Sequence, residues 1–374
     1  MSKFKTAESV TGGHPDKLCD IIADRILDET LKLDANAHVA CEVMATKGNI
    51  IVAGEITAKA MIEVTDVVVA TLFDVGYDPF EFDISNLIHE QSRDIAQAVN
   101  KNDIGAGDQG IVYGYADSET NEYLPLPVVL AHRLTNRLIV CCDTGHINYI
   151  KPDGKSQVTV EYDDDGLPVK ITSIVISIQH EDGIANWLIK KDIKENVIDK
   201  VIPKCLMDNK TIIDINPSGR FVEGGPSADT GLTGRKLMVD SYGGLARFGG
   251  GAFSGKDATK VDRSGAYFAR YVAKNIVAVG LADKCEVAVS YAIGKPEPTS
   301  ISIDTFETGK VCDDCLLKIV KNVFDFRPSA IIDKLNLKAP IYSQTAVGGH
   351  FGKAHLPWEK LDMVDALLLE VSKW

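Results

Sequence analysis

A glycine-rich stretch that ends in a lysine gives the clearest chemical signal in this sequence of 374 residues. Residues 250–256 match the pattern G-x-x-x-x-G-K, in which backbone amides and the lysine bind phosphate. A standard phosphate-binding loop continues with Ser or Thr, whereas Asp257 follows here, and no apolar strand leads directly into the stretch. We therefore exclude a standard P-loop hydrolase and predict an anion site made of backbone N–H groups and Lys256.

A second glycine motif, residues 105–110, matches the dinucleotide-binding pattern G-x-G-x-x-G letter for letter. That pattern needs a strand before it and a helix after it, so that the pyrophosphate meets a helix N-terminus. Polar residues come before this motif and a strand-like stretch follows it, so a dinucleotide-binding fold is excluded. Two interpretations stay open: a tight glycine turn, or a loop that presents Asp108 to a ribose or an adenine.

Basic side chains concentrate around the first motif, although the chain as a whole is acidic. Residues 231–270 contain seven Lys or Arg and three Asp, a local charge of +4, in a chain with a formal net charge of −13. A solvated surface usually mixes charges of both signs, so this excess predicts a pocket for a polyphosphate. Asp262 lies among these cations, and a carboxylate there predicts a divalent cation that bridges the protein and the phosphates.

Residues 14–17, His-Pro-Asp-Lys, stand where a helix is predicted to begin. Pro15 suits the first turn of a helix, and the helix dipole favours an anion at that end. A single histidine is more often structural than catalytic. At this position, however, His14 and Asp16 predict an anion site in which Asp16 holds a metal ion that the anion also binds.

Two carboxylates on a predicted hairpin give a separate indication. If residues 48–49 form its turn, Glu42 lies opposite Glu55, and like charges opposed across a strand pair repel each other. One interpretation is that cations, inorganic or ammonium, neutralise the two carboxylates. The other is that the register differs by one or two residues and both carboxylates reach solvent.

Helical and strand periodicities alternate along the chain, which predicts a mixed α and β protein with mostly antiparallel sheets. Residues 91–110 interrupt this pattern with polar and glycine residues, which is typical of a mobile lid over an active site. One predicted helix begins at residue 15, three span residues 59–75, 127–141 and 265–280, and one ends near residue 202. The predicted strands are 39–45, 50–57, 111–116, 155–162, 169–178 and 286–292.

The composition, with 45% hydrophobic and 25% charged residues, is that of a globular protein and excludes a disordered or fibrous chain. The net negative charge argues against nucleic acid as a partner, and no apolar run approaches the ~18 residues of a membrane span. No signal peptide is visible, so we expect a cytoplasmic protein without a membrane partner. We interpret Cys312 and Cys315, a C-x-x-C pair, as two reduced thiols at the start of a helix.

In their order along the chain, the motifs resemble those of the S-adenosylmethionine synthetase (methionine adenosyltransferase) family. The resemblance runs from about residue 8 to about residue 358, and the two glycine motifs together are highly specific to that family. The matching segments are residues 12–17 (GGHPDK), 54–57 (GEIT), 105–110 (GAGDQG), 153–158 (DGKSQV), 231–236 (GLTGRK), 249–257 (GGGAFSGKD) and 260–264 (KVDRS).

The resemblance implies an α+β fold of three similar subdomains with pseudo-threefold symmetry, in which mostly antiparallel or mixed sheets carry helices on one face. The implied subdomains are N-terminal (residues 1–100), central (101–222) and C-terminal (223–374). The implied reaction is attack of the methionine sulfur on C5′ of ATP, followed by hydrolysis of the released tripolyphosphate to phosphate and pyrophosphate. A homodimer or homotetramer with active sites at the subunit interface is also implied.

By similarity, the motifs supply residues for particular roles. The residues implied in catalysis are His14, Lys155, Arg235, Lys256 and Lys260. Those implied in ATP binding are His14, Asp108, Asp153, Lys155, Arg220, Phe221, Asp229, Arg235, Lys236, Ala252 and Lys256. Those implied in methionine binding are Glu55, Gln91, Asp229 and Lys260. Two Mg²⁺ ions per active site are implied at Asp16 and Asp262, and one K⁺ ion at Glu42.

Two other functions stay open on the residues alone. One is a different ATP-dependent phosphotransferase, and the other is a non-catalytic nucleotide-binding subunit of a larger assembly. A kinase leaves ADP, and a non-catalytic subunit binds ATP without forming a sulfonium product. Product analysis therefore separates the three.

Overall fold

The computed structural model describes residues 4–90 and 106–373, which form three β-sheets with helices packed against them. The strands are β1 (Phe4–Val10), β2 (His38–Thr46), β3 (Asn49–Thr57), β4 (Asp83–His89), β5 (Gly110–Asp117), β6 (Ile150–Tyr162), β7 (Pro168–His180), β8 (Ile212–Ile215), β9 (Gly231–Leu232), β10 (Lys284–Tyr291) and β11 (Ser300–Asp304). The helices are α1 (Pro15–Leu33), α2 (Val64–Val75), α3 (Leu126–Asp143), α4 (Asn186–Ile193), α5 (Asp199–Val201), α6 (Leu237–Asp240), α7 (Val261–Ala278), α8 (Asp313–Val323), α9 (Pro328–Lys334) and α10 (Val364–Val371). None of these helices is long and apolar enough to cross a lipid bilayer.

Each sheet is covered by one long helix. The strand orders are β1-β6-β7-β8, β4-β3-β2-β9 and β11-β10-β5. The pairs β3–β4 and β7–β8 are parallel, and the other pairs are antiparallel. Helix α3 packs on β1 and β6, α1 on β2, and α7 on β5 and β10. The same arrangement thus occurs three times, which confirms the predicted α+β fold of three similar subdomains with mostly antiparallel sheets.

The sheets combine strands from distant parts of the chain. β1 pairs with β6, the short β9 extends the second sheet beside β2, and β5 pairs with β10. Each sheet therefore includes strands from more than one of the three predicted spans, and the division of the chain near residues 100 and 222 stays a prediction.

Helix α1 begins where the sequence predicts, and its apolar face packs on β2. Leu18 and Ile22 are completely buried, and burial of each such side chain contributes roughly 1.5–3 kcal/mol. In β2, Val43 is buried and Glu42 is exposed, so the predicted alternation of this strand is confirmed. The sheet therefore has one face on α1 and an outer face that carries Glu42.

The turn of the β2–β3 hairpin lies one residue earlier than the sequence predicts. Residues 47–48 form the turn, because Gly48, at φ +70°, supplies the positive φ that its second position requires. The resulting pairs are Thr46–Asn49, Glu42–Ala53 and Ala40–Glu55. The predicted direct opposition of Glu42 and Glu55 is therefore wrong, and the two carboxylates are diagonal neighbours on one face of the sheet.

Two helices begin at residues other than those predicted. Helix α2 begins at Val64 rather than at residue 59, because the backbone N–H of Lys59 donates to the Asp34 carboxylate outside the helix. Helix α7 begins at Val261, four residues earlier than predicted, directly after Lys260 in an extended conformation. Gln91 and residues 91–105 of the predicted lid lie outside the residues that the structure describes.

Candidate active site

The N-terminus of α1 places His14 in a buried, positively charged environment. His14 is the N-cap residue, and its Nδ1 accepts the backbone N–H of Asp16 at 3.2 Å. Burial, followed by the positive charges of Lys155 and Lys236, lowers the pKa of the His14 imidazole to about 3. The ring is therefore neutral near pH 7, and because Nδ1 is an acceptor, Nε2 carries the proton.

Asp16 binds the segment that carries two of the predicted phosphate ligands. Its Oδ1 accepts the N–H of Leu232 at 3.0 Å, and its Oδ2 lies 2.6 Å from Nζ of Lys236. A guanidinium nitrogen of Arg235 lies 3.7 Å from Oδ1. Burial by itself raises the pKa of Asp16, but the hydrogen bonds from Lys236 and Leu232 lower it below its ordinary value. The structure thus brings His14, Asp16, Arg235 and Lys236 close together.

Helix α1 carries four aspartates at intervals of four residues, and each accepts backbone N–H groups from a segment far along the chain. The pairs are Asp16 with Leu232 (3.0 Å), Asp20 with Gly234 (2.8 Å), Asp24 with Gly255 (2.9 Å), and Asp28 with Tyr342 and Ser343 (2.9 and 2.8 Å). Residues four apart share one face of a helix, and we call this one the acidic face of α1. It holds residues 231–236 and residues 249–257, which we call the first and the second anion-binding segment. None of these contacts was predicted, although an aspartate at every fourth residue of α1 is a visible signal.

Close contacts explain two glycines in these segments. Gly255 has a φ of +80°, and a Cβ there would lie 1.9 Å from the backbone oxygen of Cys41 in β2. At Gly231, a Cβ would lie 2.2 Å from the backbone carbon of Pro15 at the start of α1. A side chain at either position would therefore push the segment away from the element that positions it.

The second anion-binding segment places Lys256 against Asp262, which lies in the first turn of α7. Nζ of Lys256 lies 2.8 Å from Oδ2 of Asp262. Partial burial raises the pKa of Glu42 on the neighbouring strand, and the positive charge of Lys256 opposes that rise. Asp257, which stands where a P-loop has Ser or Thr, is buried, accepts the N–H of Val39 at 2.6 Å and also binds Lys260, so its role is to anchor the segment.

Strand β6 brings Asp153 and Lys155 near the His14 end of α1. Oδ2 of Asp153 accepts the N–H of Gly225 at 2.8 Å, whereas its Oδ1 is buried with no hydrogen-bond partner among the described residues. Burial raises the pKa of Asp153 to about 6; the Gly225 N–H and Lys155 oppose the rise, and the charge of Asp229 adds to it. A buried oxygen without a partner is an acceptor for a donor group on a ligand.

Of the other predicted nucleotide-contacting residues, Arg220 and Phe221 lie on the segment before β9. A guanidinium nitrogen of Arg220 lies 3.5 Å from Asp182, and both side chains are exposed. The N–H of His180 donates to the Phe221 carbonyl at 2.9 Å, and the N–H of Phe221 donates to Nε2 of the His180 ring at 3.1 Å. Asp229 is exposed on the same segment, within electrostatic reach of Asp153.

Asp108, Glu55 and Ala252 complete the predicted set. Asp108 is exposed in the loop that leads into β5. Two residues later, a Cβ at Gly110 would lie 3.7 Å from Oδ1 of Asp262. Glu55 is half-buried on β3 and lies 3.4 Å from a histidine at the end of β4. Ala252, in the second anion-binding segment, lies beside Gly234 in the first.

Part of the predicted positive charge is neutralised inside the protein. Arg263 binds Asp24, Arg270 binds Glu359, and all four side chains are completely inaccessible to solvent. Their acidic partners lie outside residues 231–270. The predicted excess of +4 therefore overstates the charge available to a ligand.

Nine of the predicted site residues form two clusters in the described part of the chain. The His14 cluster consists of His14, Asp16, Asp153, Lys155, Arg235 and Lys236, and the Lys256 cluster consists of Glu42, Lys256 and Asp262. The acidic face holds their segments at Asp16 and Asp24, which lie eight residues, or ~12 Å, apart along the helix axis.

Metal ions fit these clusters only together with another ligand. Within residues 4–90 and 106–373, no group of three or more His, Cys, Asp or Glu side chains is arranged to hold a metal ion. Mg²⁺ is usually bound through one or two carboxylates together with water and substrate phosphates. Asp16 and Asp262 fit that role, because each carboxylate lies beside a lysine that can bind phosphate.

Three family models match the chain in succession. The model for the N-terminal domain of S-adenosylmethionine synthetase matches residues 2–101. The models for the central and C-terminal domains of the same enzyme match residues 103–221 and 223–360. The matches cover nearly the whole chain, in the order in which the three domains are named.

Proposed function

Because the chain belongs to the S-adenosylmethionine synthetase family, we propose a reaction in which the sulfur of methionine attacks C5′ of ATP and the whole tripolyphosphate leaves. The family establishes methionine adenosyltransferase activity, the synthesis of S-adenosylmethionine from ATP and L-methionine, and a need for metal ions. The tripolyphosphate is then hydrolysed to phosphate and pyrophosphate. The observation that supports this proposal most is the His14 cluster, in which three cations and a neutral imidazole surround a helix N-terminus.

The chemical task of the site is to stabilise a highly charged leaving group. A thioether is a neutral nucleophile that needs no general base, so alignment and charge stabilisation dominate the catalysis. We assign the triphosphate to Lys155, Arg235, Lys236 and Lys256. His14 donates a hydrogen bond from Nε2 to the bridging oxygen, because its imidazole is neutral and Nδ1 is held by the helix backbone.

For the metal ions, we propose Asp16 and Asp262 as ligands of two Mg²⁺ ions and Glu42 as a ligand of one K⁺ ion in each active site. Bound Mg²⁺ supplies positive charge beside the phosphates. The pairing of Asp16 with Lys236, and of Asp262 with Lys256, supports this assignment, because each proposed metal ligand lies next to a proposed phosphate ligand. Burial disfavours the charged form of Glu42, and a bound cation would stabilise that form.

The remaining assignments follow the charges of the substrates. Methionine carries an ammonium group and a carboxylate, and the residues assigned to it offer both charges. They are Glu55, Gln91, Asp229 and Lys260, of which Gln91 lies outside the described residues. We assign the nucleoside to Asp108, Asp153, Arg220, Phe221 and Ala252, and the partnerless Oδ1 of Asp153 supports a hydrogen bond from the nucleoside.

We further propose a homodimer or homotetramer, with each active site formed by the His14 cluster of one subunit and the Lys256 cluster of another. The outer face of the second sheet supports this proposal. Leu87 of β4 is 61% exposed and lies in register with Ala53 and Glu42. Leu232 of β9 is 38% exposed and pairs with Met44 of β2. Apolar side chains exposed around a site residue are typical of an interaction surface.

The direct test is incubation with ATP, L-methionine, Mg²⁺ and K⁺, followed by mass detection of all products. We expect S-adenosylmethionine together with equal amounts of phosphate and pyrophosphate, and no ADP. ADP would instead indicate a phosphotransferase, and bound ATP without a sulfonium product would indicate a non-catalytic subunit. Free tripolyphosphate as the final product would refute the proposed hydrolysis while leaving the transfer step intact.

A further inference from the structure

A pair of thiols at the start of α8 has no role in the proposed reaction. Cys312 is the N-cap residue of this 11-residue helix, and Cys315 lies in its first turn. The predicted position at a helix start is confirmed, and neither cysteine is in a disulfide in the structure. Cys312 is exposed and Cys315 is half-buried.

The two thiols interact directly. Sγ of Cys312 accepts the backbone N–H of Cys315 at 3.3 Å and also a hydrogen bond from the Cys315 side chain. These bonds lower the pKa of Cys312, and the shared hydrogen bond raises the pKa of Cys315. Ser, Thr, Asp and Asn are the usual N-cap residues, so the helix itself does not require a sulfur at this position.

The charges around the pair decide which reagents can approach it. The carboxylate of Asp313 is turned away and accepts a hydrogen bond from Thr305 at 2.6 Å. The charge of Asp314 raises the pKa of Cys312, whereas that of Lys318 lowers it. A surface cleft of about 560 Å³ beside Cys312 is lined by further carboxylates, Asp304 and Glu307. This acidic border disfavours anionic reagents.

We propose that Cys312 and Cys315 form a thiol–disulfide exchange site for small disulfides that carry no negative charge. The Cys312 thiolate attacks one sulfur of the small disulfide, breaks its S–S bond and releases one thiolate, which leaves a mixed disulfide on Cys312. Cys315 then loses its proton to water and attacks Sγ of Cys312, which releases the second thiol. Two protein thiols are thereby oxidised to one disulfide, and the small disulfide is reduced to two thiols.

The test uses cystamine, a small disulfide with two ammonium groups, on the full-length reduced protein. Trypsin cleavage after Lys310 and Lys318 yields one peptide that contains both cysteines, and its mass reports their state. We expect this peptide to end as an internal disulfide, lighter by two hydrogen atoms and free of cysteamine. Cys205, an exposed thiol in the same chain, is the internal control, and we expect Cys312 to react about tenfold faster.

Two serine variants separate the steps, and serine preserves the N-cap. In Cys315→Ser, we expect the reaction to stop at a stable cysteamine adduct on Cys312. In Cys312→Ser, we expect the remaining thiol, Cys315, to react no faster than Cys205. Separate adducts on both wild-type cysteines, or a Cys312 that reacts no faster than Cys205, would overturn the proposal. Neither result depends on methionine adenosyltransferase activity, so failure here leaves the proposed function untouched.

Discussion

Asp24 and Arg263 form a bidentate ion pair, with N–O distances of 2.7 and 2.9 Å, and neither side chain is accessible to solvent. Asp24 also accepts the N–H of Gly255, one residue before Lys256. The pair therefore links the stability of the protein to the position of a residue assigned to the triphosphate.

The first prediction is that Asp24→Ala destabilises the protein by about 3–5 kcal/mol, because it leaves Arg263 buried without its carboxylate. Asp74→Ala is the matched control. Asp74 forms an ion pair with Arg25, which directly follows Asp24 in α1, and this pair is accessible to solvent. We expect the control to cost at most about 1 kcal/mol. Urea unfolding measures both changes, and equal losses would contradict the buried role of the pair.

The second prediction is that Lys256→Met lowers kcat about 10²–10³-fold, because it removes positive charge from the leaving group. The thermal midpoint should change little, since Nζ of Lys256 is only partly buried and binds Asp262 near the surface. Lys190→Met, at an exposed lysine of α4, is the control for loss of a charge. An unchanged kcat in Lys256→Met would be inconsistent with the assigned role.

The same variant tests whether two chains share an active site. His14→Asn removes the imidazole but keeps an acceptor for the N-cap. If each site combines clusters from two subunits, re-associated mixtures of His14→Asn and Lys256→Met regain about a quarter of wild-type activity, because half the dimers are mixed and each has one intact site. Lys256→Met mixed with Asp262→Asn should regain none. No recovery in the first mixture would argue for sites within single chains.

The third prediction concerns the monovalent cation. Glu42→Gln keeps the size of the side chain but removes its charge, so we expect weaker activation by K⁺ and little change in stability. Glu195→Gln, at an exposed position, is the control. The measurement is initial rate against K⁺ concentration, and identical curves for Glu42→Gln and the wild type would rule out the assignment.

The fourth prediction is a loss of stability in acid through His132. Burial, together with the charges of Lys353 and Lys17, lowers the pKa of His132 from 6.5 to about 3. Between these values the unfolded chain binds a proton that the folded chain does not, so this contribution is present above pH 6.5 and is lost as the pH falls toward 3. His132→Asn keeps an acceptor for the contact with Ser9. Between pH 3 and pH 6.5, this variant should reduce the slope of unfolding free energy against pH by up to about 1.4 kcal/mol per pH unit. Parallel curves for the two proteins would count against this.

Local patterns were enough to predict the start of α1 and the alternation of β2. The hairpin register was missed because it depends on whether residue 48 or residue 49 takes the second position of the turn, and the pattern of apolar residues fits both. A two-residue change in register keeps every side chain on its own face, so the hydrophobic pattern cannot distinguish the alternatives.

Long-range partners were the other limit. The spacing of Asp20 and Asp24 is visible in the sequence, but their partners at Gly234 and Gly255 lie more than 200 residues away. For the same reason, the charge of Arg263 was counted as available to a ligand, although a distant residue neutralises it in the core.

The most direct test of the proposed leaving-group site is a structure of the protein bound to a non-hydrolysable ATP analogue, methionine and Mg²⁺. We expect the triphosphate to lie against Lys155, Lys236 and Lys256, with the methionine sulfur in line with C5′ of the ribose. A phosphate tail bound away from these three lysines would contradict the proposed site.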